Sequence, residues 1–400
     1  MTRAGFDARN FREESPFKIH GGCGLFGVID RAGKRWPGQD IIDAMACMDE
    51  RSNGLGGGYA VYGLYPEHPN HYAFHLMYND EGARAICEEF LRARFEVDHA
   101  EAIPTRTVAG ITDAPLLHRY FCEFREDDLA DGQNPDDLVV GIVMEINSEI
   151  DGAYVFSSGR NMAAFKAKGF PRDVGDFYRL DEYEASCWIG HGRFPTNTPG
   201  WWGGAHPFCI LEYSIVHNGE ITSYGINKRY LEMHGYLCTL GTDTEVVAYI
   251  YDLLLRRHGL PLELACKVVA PPFWSDIARM SSEDGALMTA LRRTYGPAAA
   301  NGPFAIILGF ADGFCALNDR IKLRPLTAAE HGDKVFVSSE ESAIRAICPE
   351  PDRSWHPEAG EPVIARYYAA DGGSELSSGE GQAAGASEGL SVTEEVSASP

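Results

Sequence analysis

Short, continuously apolar runs that break into polar, glycine-rich loops are the dominant pattern along this chain. Two stand out: Ser186-Cys187-Trp188-Ile189-Gly190-His191-Gly192 leading into Arg193-Phe194-Pro195-Thr196-Asn197-Thr198, and Ile215-Val216 leading into His217-Asn218-Gly219-Glu220. Each reads as a buried strand that hands polar side chains to a loop, where sites are usually carried. Residues 23–30 read as a third compact apolar strand. Asp40 opens a helix with Ile41, Ile42, Met45 and Met48 on one face, predicted to stop near Gly54. There Gly54-Leu55-Gly56-Gly57-Gly58 lets the backbone turn before a strand over 59–64.

Between 65 and 184 the pattern predicts strands at 71–77 and 107–111, a helix over 81–95 and an apolar element at 138–144. An acidic surface loop over 125–137 separates them, and the whole region reads as an insertion on one domain. Thr242 with Glu245 three residues on is a capping-box pattern. The helix it opens presents Val246, Val247, Ile250, Leu253 and Leu254 on one face and closes on Arg256, Arg257 and His258, which suit the helix dipole. Residues 304–310 and 314–317, joined by Ala311-Asp312-Gly313, predict a hairpin. A strand at 335–340, a helix through Ile344 and Ile347 and a last strand at 362–368 complete the fold. Residues 1–22 read as an extension, and 369–400, rich in Gly, Ser, Ala and Glu, as a disordered acidic tail.

Composition narrows the function. Thirty-five basic against 58 acidic residues give a net charge of -23 over 400 residues, which sets the chain against nucleic acid and anionic membranes. No apolar run reaches the roughly 18 residues of a membrane span, and the first twenty residues have no secretory pattern. The 10 cysteines lie singly with no C-x-x-C spacing, which disfavours zinc ribbons, iron–sulfur clusters and disulfide frameworks. A cytoplasmic chain with reduced thiols and no metal of its own is the expectation.

Cys23 is the first candidate nucleophile, and it needs a base. Either His191, His206 or His217 reaches it in space, or cleavage after Gly22 frees its α-amine, whose reference pKa of about 7.7 to 8.0 suits that task. Arg193 has the fork to clamp a carboxylate and Asp243 the charge to hold an ammonium, so the two can grip an α-amino acid head group. Asn218 offers a side-chain N–H and Gly219 an unobstructed backbone N–H for an oxyanion. Taken singly, each has a structural reading: buried cysteine, surface arginine, Asn-Gly turn, helix-capping aspartate.

Cys23-Gly24-Leu25-Phe26-Gly27, Arg193-Phe194-Pro195-Thr196-Asn197-Thr198, His217-Asn218-Gly219-Glu220-Ile221 and Thr242-Asp243-Thr244-Glu245 stand in an order that resembles the class II glutamine amidotransferases, which are N-terminal nucleophile hydrolases. The long spacer between Cys23 and Arg193, and Asp319-Arg320-Ile321-Lys322-Leu323-Arg324-Pro325, are most similar to the amidotransferase part of glutamate synthase. The resemblance implies an α+β fold, a four-layer αββα sandwich over residues 23–368 with an insertion at about 65–184. It implies hydrolysis of glutamine to glutamate and ammonia, with Cys23 as nucleophile, Asn218 and Gly219 as the oxyanion hole, and Arg193 and Asp243 holding the substrate's carboxylate and amine. His217 is expected to make a structural hydrogen bond only.

Because 22 residues precede Cys23, activity is expected to depend on their removal as a propeptide. No cofactor is expected in this chain, whereas flavin and an iron–sulfur cluster are expected in a synthase partner that accepts the ammonia. The equivalent subunit of N-methylglutamate synthase is an alternative, as is a non-catalytic scaffold of such a complex. An amidophosphoribosyltransferase is disfavoured, since no acidic-pair phosphoribosyl motif is visible.

Overall fold

The computed structural model describes residues 22–125, 128–130, 132–194 and 200–369. The expected propeptide apart from Gly22, the Thr196-Asn197-Thr198 part of the arginine motif, and the tail beyond Ala369 lie outside the described residues. One compact unit runs to Tyr367. Its centre is a pair of antiparallel sheets. The larger has seven strands in the spatial order Arg353–Trp355, Thr327–His331, Lys334–Ser338, Gly24–Asp30, Cys187–Gly192, Gly57–Tyr62 and Met162–Ala167. The smaller has five: Phe208–Ile210, Tyr213–Gly219, Phe304–Phe310, Gly313–Asn318 and Val363–Arg366.

Strand alternation explains how these runs are apolar throughout. A residue and its second neighbour share a face, so a strand covered on both sides has no position to spare for water. In Gly24–Asp30, Leu25 and Ile29 join Ala60, Ile189 and Val337 against Val216, Ala305, Ile307 and Phe314 of the smaller sheet. Phe26 and Val28 face the other way, with Tyr59 and Trp188, onto the helices Gln39–Ala46, Pro171–Phe177 and Glu341–Ile347. On the smaller sheet, Ile215, Ile306, Leu308 and Leu317 point outward onto the helices Asp243–Tyr251, Leu262–Val269 and Ser282–Thr294. Helix, sheet, sheet, helix is the layering of the expected α+β sandwich.

Elsewhere the pattern needs correction. No strand forms at 107–111, and Val108 and Ile111 pack as loop residues against the outer core of the larger sheet. The strands present are Glu96–Ala102 and Leu116–Glu123, which with Tyr72–Tyr78 and Ala153–Ser157 make a separate four-stranded sheet. Residues 138–144 lie within the helix Pro135–Glu149, capped by Asn134, so the acidic loop ends earlier than expected. Met162–Ala167 and Pro171–Phe177 belong to the layers of the main sandwich. The first helix stops at Ala46 and passes to a 3-10 turn at Asp49–Arg51.

The capping box is also only half present. Thr242 Oγ1 accepts the Thr244 N–H at 3.3 Å, but the Glu245 carboxylate takes the N–H groups of Thr239 (3.1 Å) and Leu240 (3.0 Å). The chain folds back over the start of its own helix, and Glu245 ties that loop down. Every residue from Thr244 to Tyr251 is buried, so the helix is covered all round and not on one face alone.

Ile307 fills the space that Gly27 leaves between the sheets: a methyl group on Gly27 would stand 3.4 Å from Ile307 Cδ1. Ile307→Ala should cost about 2–5 kcal/mol in urea denaturation, because glycine cannot fill the cavity from the other side. A loss of a few tenths would show that the two sheets do not share this core.

Candidate functional site

Register brings the first pair of candidate residues together. Gly24–Asp30 runs antiparallel to Cys187–Gly192 with Gly24 opposite Gly192 and Ile29 opposite Cys187. One residue beyond the Gly24–Gly192 pair lie Cys23 on one strand and Arg193 on the other. The Phe194 N–H donates to Cys23 Sγ at 3.3 Å. Arg193 is buried, with its N–H on the Gly56 carbonyl (2.9 Å) and its own carbonyl taking the Ser52 hydroxyl (3.2 Å). The glycine run has a sharper role here than turning the chain. At φ +155°, a methyl group on Gly56 would stand 3.0 Å from Arg193 Cδ, so the missing Cβ gives the arginine its path.

Asn218 and Gly219 come from the facing sheet. Asn218 is two residues on from Val216, on the face turned toward the larger sheet, and it is buried. Neither its Oδ1 nor its Nδ2 has a hydrogen-bond partner among the described residues. Such an amide costs about 1–3 kcal/mol to leave unpaired and points to a ligand. A methyl group on Gly22 would lie 3.4 Å from Asn218 Oδ1, so this amide borders the residue next to Cys23.

Gly219 is fixed just as tightly. At φ +144°, any Cβ would sit 1.9 Å from the Pro303 carbonyl. Opposite Gly219, Phe304 gives its N–H to Asp319 Oδ2 (3.1 Å) and its carbonyl to the Asp319 N–H (2.8 Å). With both groups of Phe304 committed elsewhere, the Gly219–Phe304 pair is of the non-hydrogen-bonded kind, and the Gly219 N–H is directed away from that strand. The His217 carbonyl faces the same side and accepts the proton of His191 Nε2 at 3.0 Å.

Asp243 opens the helix behind this edge. Its Oδ2 accepts the Ile221 N–H at 2.9 Å and its Oδ1 stands 3.6 Å from His217 Nδ1. Burial pushes its carboxyl up, but His217, the Ile221 amide and the Thr244 hydroxyl outweigh that and hold it down to about 2. Burial likewise lowers the Arg193 pKa, with Cys23 and Asp243 opposing. The Cys23 thiol is raised, mainly by burial, against the Phe194 N–H and the charges of Arg193 and Arg324.

Behind the site lies a buried polar group that gathers the three histidines named from the sequence and adds Thr244 and Lys166, which sequence reading missed. His206 Nε2 is 2.8 Å and His217 Nδ1 3.2 Å from Thr244 Oγ1, and the rings of His191 and His206 lie 3.9 Å apart. Burial drives His191 down to about 3 and holds His206 well below the usual imidazole range. Lys166 donates to the carbonyls of Gly203 (3.1 Å) and Pro207 (3.2 Å), and burial lowers it to about 8. Its signal was the single lysine inside the apolar strand Met162–Ala167. Arg324, quoted earlier only as part of a motif, lies with Arg51 beside Gly22, and Arg51 pairs with Glu340.

The family profile described as glutamine amidotransferases class-II matches residues 140–351, more than half of the chain. The chain belongs to the class II glutamine amidotransferases. It therefore belongs to enzymes that take the amide nitrogen from glutamine. The match contains Arg193, Asn218, Gly219 and Asp243 but stops short of Cys23, which geometry alone ties to them. An uncharacterized protein of Archaeoglobus fulgidus is 52% identical over 361 residues, covering 90% of this chain and 96% of the relative. A Methanothermobacter thermautotrophicus chain whose name places it among the glutamine amidotransferases is 24% identical, covering 81% and 93%. Among solved structures, one titled as the allosteric regulatory enzyme of purine biosynthesis matches at a TM-score of 0.40 and 15% identity. The match takes in 86% of this chain and 47% of that larger one. Among the described residues, no helix is long and apolar enough to cross a membrane.

The depressed Asp243 pKa fixes the sign of an acid-stability effect in this amidotransferase. A carboxylate held below its unfolded value of 3.8 adds stability that is full above that value and is lost as pH falls through about 2. Asp243→Asn should therefore cost about 2 kcal/mol near neutrality, from 1.36 kcal/mol per unit, and progressively less below about pH 4. Urea denaturation of both proteins across that range checks it, and a penalty independent of pH would refute it.

Proposed function

We propose that this chain hydrolyses glutamine at Cys23 and supplies the ammonia to a glutamate synthase-type partner subunit, in which the flavin and iron–sulfur cluster are carried. The observation that supports the chemistry best is the buried Asn218 amide, unpaired and bordering Gly22, with Gly219 beside it. Once the Gly22–Cys23 bond is hydrolysed, the freed α-amine takes the thiol proton and Sγ attacks the carboxamide carbon of glutamine. Asn218 Nδ2–H and the Gly219 N–H hold the oxyanion that forms on the carbonyl oxygen. The protonated amine returns its proton to the leaving nitrogen, ammonia departs, and water cleaves the thioester to give glutamate and the free thiol. Arg193 holds the substrate α-carboxylate and Asp243 its α-ammonium.

A histidine base is disfavoured. Strand alternation turns His217 to the face opposite Asn218, where Thr244 and Asp243 engage it. His191 at about 3 is far too weak a base for a thiol raised by burial. His206 is engaged by Thr244 and lowered well below the usual imidazole range by burial, and these features together favour the α-amine as the base. The partner assignment rests on the motif wording, the long spacer between Cys23 and Arg193 and the Asp319-to-Pro325 stretch.

Cys23→Ala should abolish glutamine hydrolysis while leaving the fold intact. The active wild-type chain should have an intact mass that starts at Cys23. Turnover by the variant, or by a chain still carrying residues up to Gly22, would sink the mechanism, whereas a chain that keeps those residues and hydrolyses no glutamine would favour the scaffold reading. Asp243→Ala should raise KM for glutamine by about 10- to 100-fold with a smaller change in kcat, since the lost contact is made in ground and transition state alike. A loss confined to kcat would remove Asp243 from substrate binding. Both assays are best run with the partner present, because an isolated subunit that leaks ammonia gains nothing from fast turnover.

A further inference from the structure

We propose that His68, His71 and Asp98 form a divalent metal site, suited to zinc, on the four-stranded sheet and away from Cys23. The sequence disfavoured metal on its cysteine spacing, but these ligands are two histidines three residues apart and a carboxylate from another strand. One donor atom from each of the three lies within 4.8 Å of the others. His68 Nδ1 and His71 Nε2 each stand 3.7 Å from Asp98 Oδ2. Both separations exceed a hydrogen bond and approach the edge of about 3.3 Å that a tetrahedron with zinc bonds of about 2.0 Å requires.

The surroundings are built for these side chains. The His68 N–H donates to the Tyr65 carbonyl at 3.0 Å, a turn that presents His68 and His71 together ahead of Tyr72–Tyr78. The His68 ring stacks on Phe121 at 4.2 Å and 23°, which limits its rotation. Asp98 is the extra residue of a bulge: Val97 pairs with Cys122 and His99 with Phe121, leaving Asp98 without an opposite number. Bulges re-aim a side chain, and this one turns a carboxylate toward both imidazoles. The histidine side chains are only 22% and 18% exposed, against 58% for Asp98.

A second, independent feature is the far nitrogen of His71. Nδ1 is buried without a hydrogen-bond partner, yet it stands 3.6 Å from Glu123 Oε1. With Nε2 on a metal, Nδ1 carries the proton and Glu123 is positioned to receive it, the carboxylate–histidine–zinc arrangement that orients and strengthens a ligand. Three protein ligands leave a fourth position for water. The metal would tie the 68–71 turn to Glu96–Ala102, the edge strand whose residues are mostly exposed and which gains little from apolar burial.

The test uses the purified full chain, stripped with EDTA and titrated with zinc in a calorimeter, then with cobalt(II) in a spectrophotometer. The expected result is one zinc per chain, a cobalt spectrum free of thiolate charge-transfer bands, and a higher Tm with metal. Affinity should fall at least about 100-fold in His68→Gln and His71→Gln, and about 10- to 100-fold in Glu123→Ala. Undiminished binding in the histidine variants, a thiolate band in the wild type, or no stoichiometric binding would overturn the site. Should a histidine variant not fold, Asp98→Cys decides: a thiolate–cobalt band absent from the wild type supports the site, and no such band overturns it.

Discussion

The antiparallel register between Gly24–Asp30 and Cys187–Gly192 is the constraint on which the rest depends. A slip of one residue would carry Leu25 and Ile29 out of the inter-sheet core and Phe26 and Val28 into it. Because both faces are buried, such a slip is penalised on both sides of the sheet at once. The chemistry inherits that rigidity: Cys23 and Arg193 lie one step past the last pair, where the backbone is still held by the sheet but the side chains have left it. Asn218 and Gly219 reach the same place from the other sheet, so the packing of Val216, Ala305 and Ile307 on the larger sheet sets their distance from Cys23.

Close approach by glycine is the second half of the design. Gly56 gives way to the arginine side chain, and Gly219 passes under the Pro303 carbonyl. In both cases the missing Cβ lets one backbone enter space that another group needs, the Arg193 side chain at Gly56 and the Pro303 carbonyl at Gly219. The orphaned amide of Asn218 is held by the same packing. A buried side chain with neither atom satisfied is a cost that a fold tolerates where a ligand will supply the partner.

What could be read from the sequence follows from which interactions leave a local trace. Strands buried on both faces leave continuous apolar runs, so the strands at 23–30 and 304–310 were legible, as was the one read at 335–340, which ends at Ser338. Helices with one apolar stripe were legible too. Glu96–Ala102 left no such trace, because an edge strand of the sequence EVDHAEA is mostly exposed and owes its conformation to its partner Leu116–Glu123. The apolar Val108 and Ile111 misled for the converse reason: they fill a loop's contact with the core. Motif order marked the five candidate residues, but the support beneath them was invisible. Nothing local says that Glu245 reaches back to Thr239 and Leu240, or that Lys166 is held by the Gly203 and Pro207 carbonyls.

The electrostatics of the interior bear on the base proposed for Cys23. Burial makes His191 and His206 poor proton acceptors, and it makes the thiol reluctant to ionise. Arg193, Arg324 and the Phe194 N–H all favour the thiolate, so the site is arranged to stabilise the anion once the proton has somewhere to go. A proton acceptor must then be near Sγ, basic enough to compete and absent from the histidine cluster. An α-amine on Cys23 itself meets the first two conditions through its covalent position and its reference pKa. While Gly22 remains attached, that nitrogen is an amide and has no basicity to offer. The same residue also lies against Asn218, so under the proposed mechanism one peptide-bond cleavage would both create the base and release Gly22 from beside the Asn218 amide.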